Sequence, residues 1–185
     1  MSATPGVRRA DKVMAEDQAL AMLAAGYSGH LATVGADGQP YCVPLLYVWL
    51  DGELFMHGTG ARGHLRTNVE HEPRACFEID APGEIFDYGR FECDSTVAYR
   101  SVILFGRVRL VDDPAVKTRF CDALMAKYAK PERDRPRGFY PRLDHIAVYA
   151  LTPERITGKE TPLPAIEQQW PALDRSKSPN ARAPA

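Results

Sequence analysis

A short segment, His57–Arg66, combines residues that together could bind a phosphate group. It leaves a predicted strand and enters a predicted helix, so its backbone N–H groups lie at the positive end of the helix dipole. Thr59, Arg62, His64 and Arg66 add hydrogen-bond donors, and the glycines between them let an anion approach the backbone. We therefore predict an anion site here. The alternative is a strand-to-helix turn whose glycines serve only steric needs.

Histidine is the residue type in this segment that could move a proton, because its side chain titrates near neutral pH. We predict that His57 is catalytic, as a substrate-facing donor or proton source; the alternative is a histidine hydrogen-bonded at a strand end. His64 and His71 are seven residues apart, which places them about 10 Å apart along a helix. This spacing argues against a zinc site, so no metal is expected, although a single histidine could be the axial ligand of a haem.

Motifs typical of hydrolases and nucleoside triphosphatases are missing from the sequence. Carboxylates occur in pairs, Asp112 with Asp113 and Glu70 with Glu72, at a predicted helix start and a predicted helix end. Capping or solvation explains such pairs without catalysis.

Hydrophobic periodicity and turn residues predict the elements that position the segment. The predicted helices are Asp11–Gly26, a helix that begins within Gly58–Leu65 and runs to about His71, and Pro114–Ala129. The predicted strands are Gly29–Val34, Tyr41–Leu50, Glu53–His57, Arg74–Asp80, Tyr99–Val111 and His145–Leu151. Strands joined mostly by hairpins predict a mostly β protein, an antiparallel barrel with peripheral helices, rather than a doubly wound parallel sheet.

The strand Tyr41–Leu50 is apolar on both of its faces, which predicts that both faces are covered. It ends at Asp51-Gly52, a pair typical of a type I′ hairpin turn. Pro44 lies inside the strand, although proline cannot donate a hydrogen bond to a sheet. Two explanations are open: Pro44 lies at a strand edge, or the sheet opens there to admit a ligand.

Composition excludes several classes of partner. The 185 residues carry 23 Lys and Arg against 24 Asp and Glu, so the formal net charge is -1. Such a chain has no overall field to attract nucleic acid or an anionic membrane, and its copies repel one another little. We expect neither partner, and self-association is permitted.

The protein is expected to be cytoplasmic. Met1–Ala10 is not followed by the apolar region of a signal peptide, and no window approaches the about 20 apolar residues of a membrane span. The four cysteines are too widely spaced for a metal clamp, and each is expected to be a small core residue: Cys42, Cys76, Cys93 and Cys121.

An ordered series of short stretches resembles one known family. They are Gly29–Val34, Gly38–Leu45, Leu54–Gly58, Arg62–His64, Tyr99–Val102, Phe105–Val108, Val111–Pro114 and Ile156–Lys159. Together they resemble the pyridoxamine 5′-phosphate oxidase superfamily of FMN-binding split barrels, and most closely its nitroimidazole-resistance branch. The series spans about Asp11 to Lys159.

The resemblance implies a homodimer that holds FMN in clefts between its subunits. It implies that one group of residues lies along the isoalloxazine ring: Val43, Pro44 and Leu45. A second group would border the cofactor, and a third would meet its phosphate: His57, Gly58 and Thr59, then Arg62, Gly63 and His64. Ser101 would face the site from the long strand. The implied activity is that of an FMN-dependent oxidoreductase acting on a small molecule.

The sequence departs from the family pattern at two places. Many relatives have Ser-Arg-Lys where this chain has Gly63-His64-Leu65, so Arg62 and Arg66 are expected to replace the phosphate donors. The tail Pro171–Ala185 contains no histidine, whereas vitamin B6 oxidases have an Arg-x-His element there, so oxidation of vitamin B6 is not expected. Two alternatives stay open: a haem-binding protein on the same barrel, and a flavin-binding module without catalysis.

The chain is predicted to contain one domain. Residues 1–159 would form the split barrel with its N-terminal helix, and residues 160–185 a proline-rich tail. Trp170 could hold that tail against the body of the protein or against a partner.

Overall fold

A single antiparallel sheet dominates the computed structural model, which describes residues 6–89, 93–129 and 138–169. Its strands are β1 (Ser28–Val34), β2 (Pro40–Leu50), β3 (Glu53–Thr59), β4 (Arg74–Asp87), β5 (Ser95–Val111) and β6 (Ile146–Thr161). Neighbours follow the order β1-β2-β3-β6-β5-β4, and β4 pairs again with β1, which closes the sheet into a barrel. The helices are α1 (Glu16–Ala25), α2 (His64–His71) and α3 (Pro114–Tyr128). The predicted antiparallel sheet with peripheral helices is therefore confirmed.

One side of each strand fills the inside of the barrel. Leu31, Phe77 and Leu104 are consecutive partners on β1, β4 and β5, and all three are fully buried. Burying a side chain of this size contributes about 1.5–3 kcal/mol. Helix α1 packs against this interior through Leu23, whose carbonyl accepts a hydrogen bond from Tyr47 Oη at 2.7 Å.

Helix α3 covers part of the outside of the barrel. Its Phe120 is fully buried and stacks on Phe55 of β3, with ring centroids 6.2 Å apart. The helix begins at Pro114, and the Asp113 side chain accepts a hydrogen bond from the Ala115 N–H at 2.8 Å. This confirms the helix start expected from proline after a capping carboxylate.

The outer side of β2 is covered at one end only. Val48 is buried and Leu50 half-buried under α3, whereas Cys42, Pro44 and Leu46 are exposed. The prediction that both faces of this strand are covered is therefore wrong for a single chain, because α3 contacts only the half of β2 next to β3.

Strands β4 and β5 are longer than the predicted Arg74–Asp80 and Tyr99–Val111. They continue past the pairing with β6 as a two-stranded hairpin, whose outermost pair is Asp87 with Ser95. The pattern did not indicate this extension because it buries little: Ile85 is 78% exposed.

The last strand continues past its predicted end at Leu151 as far as Thr161. Pro153 is accommodated at a bulge in β6: Phe105 of β5 pairs with Arg155, and the next residue, Gly106, pairs with Pro153. A bulge tolerates a residue that lacks an N–H. The long neighbouring strand β5 supplies the hydrogen bonds, so tertiary pairing overrides the weak local pattern.

The predicted helix Asp11–Gly26 is two elements, a short 3-10 helix at Ala10–Lys12 and then α1. The chain between them is extended because it follows β6: the Met14 N–H donates to the Gly158 carbonyl at 3.0 Å. The Asp51-Gly52 turn is confirmed, since both residues have positive φ, 52° and 80°.

The cysteines differ from one another in burial. Cys121 is buried, Cys76 is half-buried, and Cys42 and Cys93 are exposed. The expectation of a core position is therefore confirmed for Cys121 and wrong for the two exposed residues, which lie in parts of the surface that α3 does not cover.

No helix in the described part of the chain is both long and apolar enough to cross a bilayer. Trp170 and the rest of the predicted tail from residue 170 lie outside the described residues. The first part of that tail ends β6 at Thr161 and then forms a short 3-10 helix, Ile166–Gln168.

Helix α2 is held on β1 by a buried hydrogen bond. Asn68 Nδ2 donates to Thr33 Oγ1 at 3.1 Å, and both residues are 2% exposed. Leu65 and Val69 of the same helix pack on the barrel interior. These contacts determine where the N-terminus of α2 lies relative to β1 and β2.

We expect Asn68→Leu and Thr33→Val each to lower the free energy of unfolding by about 1–3 kcal/mol, because each leaves a buried polar group without its partner. The double variant should lose less unfolding free energy than the two single variants together, since neither polar group remains. Urea denaturation of the wild type and the three variants measures this coupling. Strictly additive losses would show that the two side chains do not depend on each other.

Candidate functional site

Strands β2 and β3 separate partway along their length. They pair from Leu50–Glu53 to Tyr47–Met56, after which β3 continues along β6 as far as Thr59–Ile146. Among the described residues, the segment 40–46 of β2 has a strand partner only on its β1 side. The barrel therefore opens between β2 and β3.

Pro44 lies on this free edge of β2, opposite His30 of β1. The presence of proline in this strand is thus explained by its position at a strand edge. The same edge is where the sheet opens. A residue without an N–H is tolerated here because no ladder continues on that side.

The N-terminus of α2 follows the opening directly, and it lacks the usual stabilising features. Gly63 at the cap position offers no side-chain hydrogen bond, and the first turn contains no acidic residue. Helix α3, by contrast, has Asp113 as its cap. The first N–H groups of α2 are left without a capping side chain, and they carry the positive end of the helix dipole.

Three glycines shape the turn into α2. Gly58, Gly60 and Gly63 have the spacing Gly-x-Gly-x-x-Gly, a motif that sequence analysis missed. A Cβ on Gly60 would come within 2.9 Å of the His145 carbonyl oxygen, so the backbones meet closely there. A Cβ on Gly63 would meet no atom within 4 Å, so the space beside the helix N-terminus is open.

Arg62 and Arg66 lie beside this N-terminus and share one carboxylate. Arg62 Nη2 is 2.7 Å from Glu70 Oε2, and Arg66 Nε donates to Glu70 Oε1 at 2.8 Å. Arg66 also donates through Nη1 to the Gly60 carbonyl at 3.2 Å. The hydrogen bond from Arg66 lowers the pKa of Glu70, which keeps the carboxylate charged. Glu70 is therefore more than the solvated residue that was expected, because it pairs with two arginines. Its position four residues after Arg66 could have predicted one of these pairs.

His64 begins α2 and stacks on Tyr41 of β2, with ring centroids 4.3 Å apart and planes 22° apart. This contact joins the edge of β2 to the helix N-terminus. The sequence analysis predicted His64 as a site residue but not Tyr41, because no local sequence pattern shows that a strand residue contacts a later helix.

His57 lies at the point where β3 leaves β2, but its side chain faces α3. The ring is 5.8 Å from that of Phe120, and Nδ1 is buried without a hydrogen-bond partner among the described residues. Burial lowers the pKa of His57, so the neutral form predominates at pH 7. The alternative, a histidine hydrogen-bonded at a strand end, is therefore not met at Nδ1.

Ser101 lies on the outer side of the sheet, away from the opening. Pro44, His30, Glu78 and Ile103 are consecutive partners across β2, β1, β4 and β5, and Ser101 follows two residues before Ile103 on the same face. At about 4.8 Å between strands, β2 and β5 are roughly 14 Å apart along this row. A single chain therefore does not bring Ser101 to the opening.

The structure thus assembles one part of the predicted site and separates the rest. Grouped around the α2 N-terminus are Thr59, Arg62, Gly63, His64 and Arg66. Val43 and Leu45 of β2 face the barrel interior half-buried, whereas Pro44 faces outward and is exposed. Gly58 pairs with Ala147 of β6. Roles for these residues in binding stay predictions.

A family model for pyridoxamine 5′-phosphate oxidase matches residues 15–160. No sequence among curated proteins matches the chain. The flavocytochrome Anf3 from Azotobacter vinelandii is similar in structure, with a TM-score of 0.72 and 22% identity over 91% of this chain and 79% of that one.

Two further solved structures are similar. The FAD and haem binding protein from Mycobacterium smegmatis has a TM-score of 0.68 and 22% identity, over 83% of this chain and 76% of that one. A protein described as a 5-nitroimidazole antibiotic resistance protein, from Bacteroides thetaiotaomicron VPI-5482, has a TM-score of 0.66 and 16% identity, over 80% and 85%. At these identities the likeness establishes the fold alone, whereas the family model over residues 15–160 confirms the resemblance inferred from the motifs.

Burial of His57 should make stability depend on pH. The pKa in the folded protein lies below the ordinary value of 6.5, so the unfolded chain takes up the proton more readily as pH falls through that region. The contribution is fully present above about pH 6.5 and decreases below it. We expect the wild type to lose more unfolding free energy than His57→Gln between about pH 7.5 and pH 5. Equal losses in urea denaturation would contradict a lowered pKa.

Proposed function

The chain belongs to the pyridoxamine 5′-phosphate oxidase family, and from that premise we propose that it is an FMN-dependent oxidoreductase acting on a small molecule. FMN would bind in the opening of a split barrel, at the interface of a homodimer. The observation that carries this proposal is the uncapped N-terminus of α2, which lies directly beside the free edge of β2.

The residues at the α2 N-terminus fit a phosphate group. Two guanidiniums and one carboxylate, those of Arg62, Arg66 and Glu70, leave one net positive charge beside the free N–H groups. The open space at Gly63 would admit phosphate oxygens to the backbone. Helix N-termini and arginine forks are common phosphate ligands for these reasons. We assign the phosphate to Arg62, Gly63, His64 and Arg66.

The free edge of β2 fits a planar ring with hydrogen-bonding groups at its rim. Val43, Pro44 and Leu45 would lie along the isoalloxazine, since backbone groups on this edge have no strand partner among the described residues. His57, Gly58 and Thr59 would border the ring from β3. When bound, FMN would supply the electron transfer, and the protein would orient the ring and the substrate and exclude water.

His57 is the candidate for contact with the substrate. Because its pKa is lowered, its neutral imidazole can donate a hydrogen bond from one ring nitrogen and accept one at the other. The buried Nδ1 without a partner supports a role in binding, since buried polar atoms are normally satisfied.

A second copy of the chain would complete the site. No helix in the described part of the chain covers the outer side of β2, β1, β4 and β5. Apolar groups on it are exposed or half-buried: Ala32, Pro44, Leu46, Ile103 and Phe105. Ser101 shares this face, so a second copy packed against it could present its Ser101 to the opening. His30 and Glu78, 3.5 Å apart, lie between Pro44 and Ile103, so the face combines exposed apolar groups with a polar pair, as the surfaces of many interfaces do.

Haem binding is the second candidate. Two structurally similar proteins are named for haem or cytochrome content, and the unpartnered ring nitrogen of His57 is the feature in this chain that favours it. A flavin-binding module without catalysis is the third; bound FMN that neither NADH nor NADPH reduces in the presence of acceptors would support it.

The absorption spectrum separates these candidates. We expect flavin bands near about 370 and 450 nm after addition of FMN. A Soret band that is lost in His57→Ala or His64→Ala would instead identify haem. A protein that binds neither chromophore would contradict the proposed function.

Gly63→Val should test the phosphate end of the site. The new side chain would meet no protein atom within 4 Å of its Cβ, and φ of -103° suits any residue, so the fold should persist. It would obstruct the approach of phosphate to the helix N-terminus. We expect FMN affinity to fall about tenfold or more while riboflavin affinity is unchanged. Fluorescence titration measures both, and equal losses for the two flavins would contradict the assignment.

Leu46→Glu should test the dimer. A charge placed in an apolar interface is unfavourable, so we expect the mass in solution to halve and FMN binding to weaken. Ile166→Glu is the matched control, because Ile166 is 84% exposed and belongs to the short 3-10 helix after β6 rather than to the β2 face. Light scattering at micromolar concentration measures the mass. A monomeric wild type that still binds FMN would contradict the intersubunit cleft.

A further inference from the structure

Glu70 holds both arginines of the phosphate site at once. Each of its carboxylate oxygens contacts a different guanidinium, Arg62 at 2.7 Å and Arg66 at 2.8 Å. The carboxylate thus neutralises half of the positive charge that the arginines bring to the α2 N-terminus.

Helix stability does not explain this arrangement. A pair four residues apart stabilises a helix better when the acid precedes the base, because the acid then lies nearer the positive end of the dipole. In α2 the order is reversed: Arg66 precedes Glu70, and Arg62 lies before the helix begins. The basic residues therefore gather where the dipole already repels them, which is the position from which they can reach an external anion.

The two arginines differ in their freedom to move. The Arg62 side chain is 66% exposed, against 33% for Arg66, and Arg66 has a second partner in the Gly60 carbonyl. For Arg62, the structure shows one ion pair among the described residues, that with Glu70. An arriving phosphate would therefore take Arg62 from Glu70 more easily than it would take Arg66.

We propose that Glu70 is a built-in competitor of the phosphate, which holds Arg62 when no phosphate is bound and so weakens the binding of the phosphorylated ligand and speeds its exchange. The proposal rests on the proposed function, since it concerns the same phosphate site. It makes Glu70 a positioning residue that acts through Arg62. The bound flavin phosphate would then be exchangeable rather than permanently held.

Glu70→Gln tests the proposal directly. Gln keeps the size of the side chain but not its charge, so Arg62 becomes available to phosphate. Exposed ion pairs of this kind correspond to changes of up to about fivefold in an equilibrium constant. We expect FMN to bind about two- to fivefold more tightly, with slower dissociation, and riboflavin to bind as before. The salt dependence of FMN affinity should steepen, because one more cation contacts the phosphate.

Two controls separate this effect from a change in overall charge or stability. Glu72→Gln removes the same charge at the other end of α2, where Glu72 pairs with Arg74 at 2.7 Å, and should leave the ratio of FMN to riboflavin affinity unchanged. In an Arg62→Ala background, Glu70→Gln should lose most of its effect, because the competition requires Arg62.

The outcomes are distinguishable. If both flavins bind but Glu70→Gln leaves their affinity ratio unchanged, or weakens FMN alone, the competitor role is wrong and Glu70 instead orients the arginines. If Glu72→Gln has the same effect, the cause is overall charge and the proposal fails. If neither flavin binds any of the proteins, the proposed function fails and the inference with it.

Discussion

The separation of β3 from β2 after Tyr47–Met56 is the constraint on which the candidate site depends. Beyond Met56, β3 follows β6 on its other edge as far as Thr59 and no longer pairs with β2. The edge of β2 that is left free accommodates Pro44, and the turn that follows β3 carries the N-terminus of α2 beside it. The buried Asn68–Thr33 hydrogen bond keeps that helix in place. An opening in a hydrogen-bonded barrel is stable here because the interior core remains closed by α1 and α2.

Charge at the opening is arranged against the local preferences of a helix. Gly63 supplies no cap, the first turn has no acid, and arginines flank the positive end of the dipole. Glu70 compensates part of this charge from within the chain. The proposed phosphate would compensate the uncapped end of this helix, and departures of this kind from local consistency are typical of functional sites. The glycine spacing of the preceding turn serves the same purpose, because it brings backbone rather than side chains to the open space.

The uncovered side of the sheet connects the site to the oligomeric state. Pro44 and Ser101 both face outward, but roughly 14 Å of sheet separates their strands in one chain. The apolar groups between them would be buried by a second copy, and the same contact would bring distant predicted residues to one cofactor. Under the proposed function, a single chain would hold an incomplete site, which a second copy would complete.

Local pattern was sufficient for the helices, most strand positions, the Asp51-Gly52 turn and the donors near α2, because periodicity, glycine and proline act over a few residues. It failed for β6 beyond Leu151 and for the segment before α1, which was predicted to be helical from Asp11. In both places hydrogen bonds to another strand decide the conformation. It also could not show that His57 faces α3, that Tyr41 stacks on His64, or that Glu70 bridges two arginines. The sequence alone determined which chemical groups lie near the turn into α2. Only the tertiary structure decided which of them meet, because strand pairing and helix packing join residues that are distant along the chain.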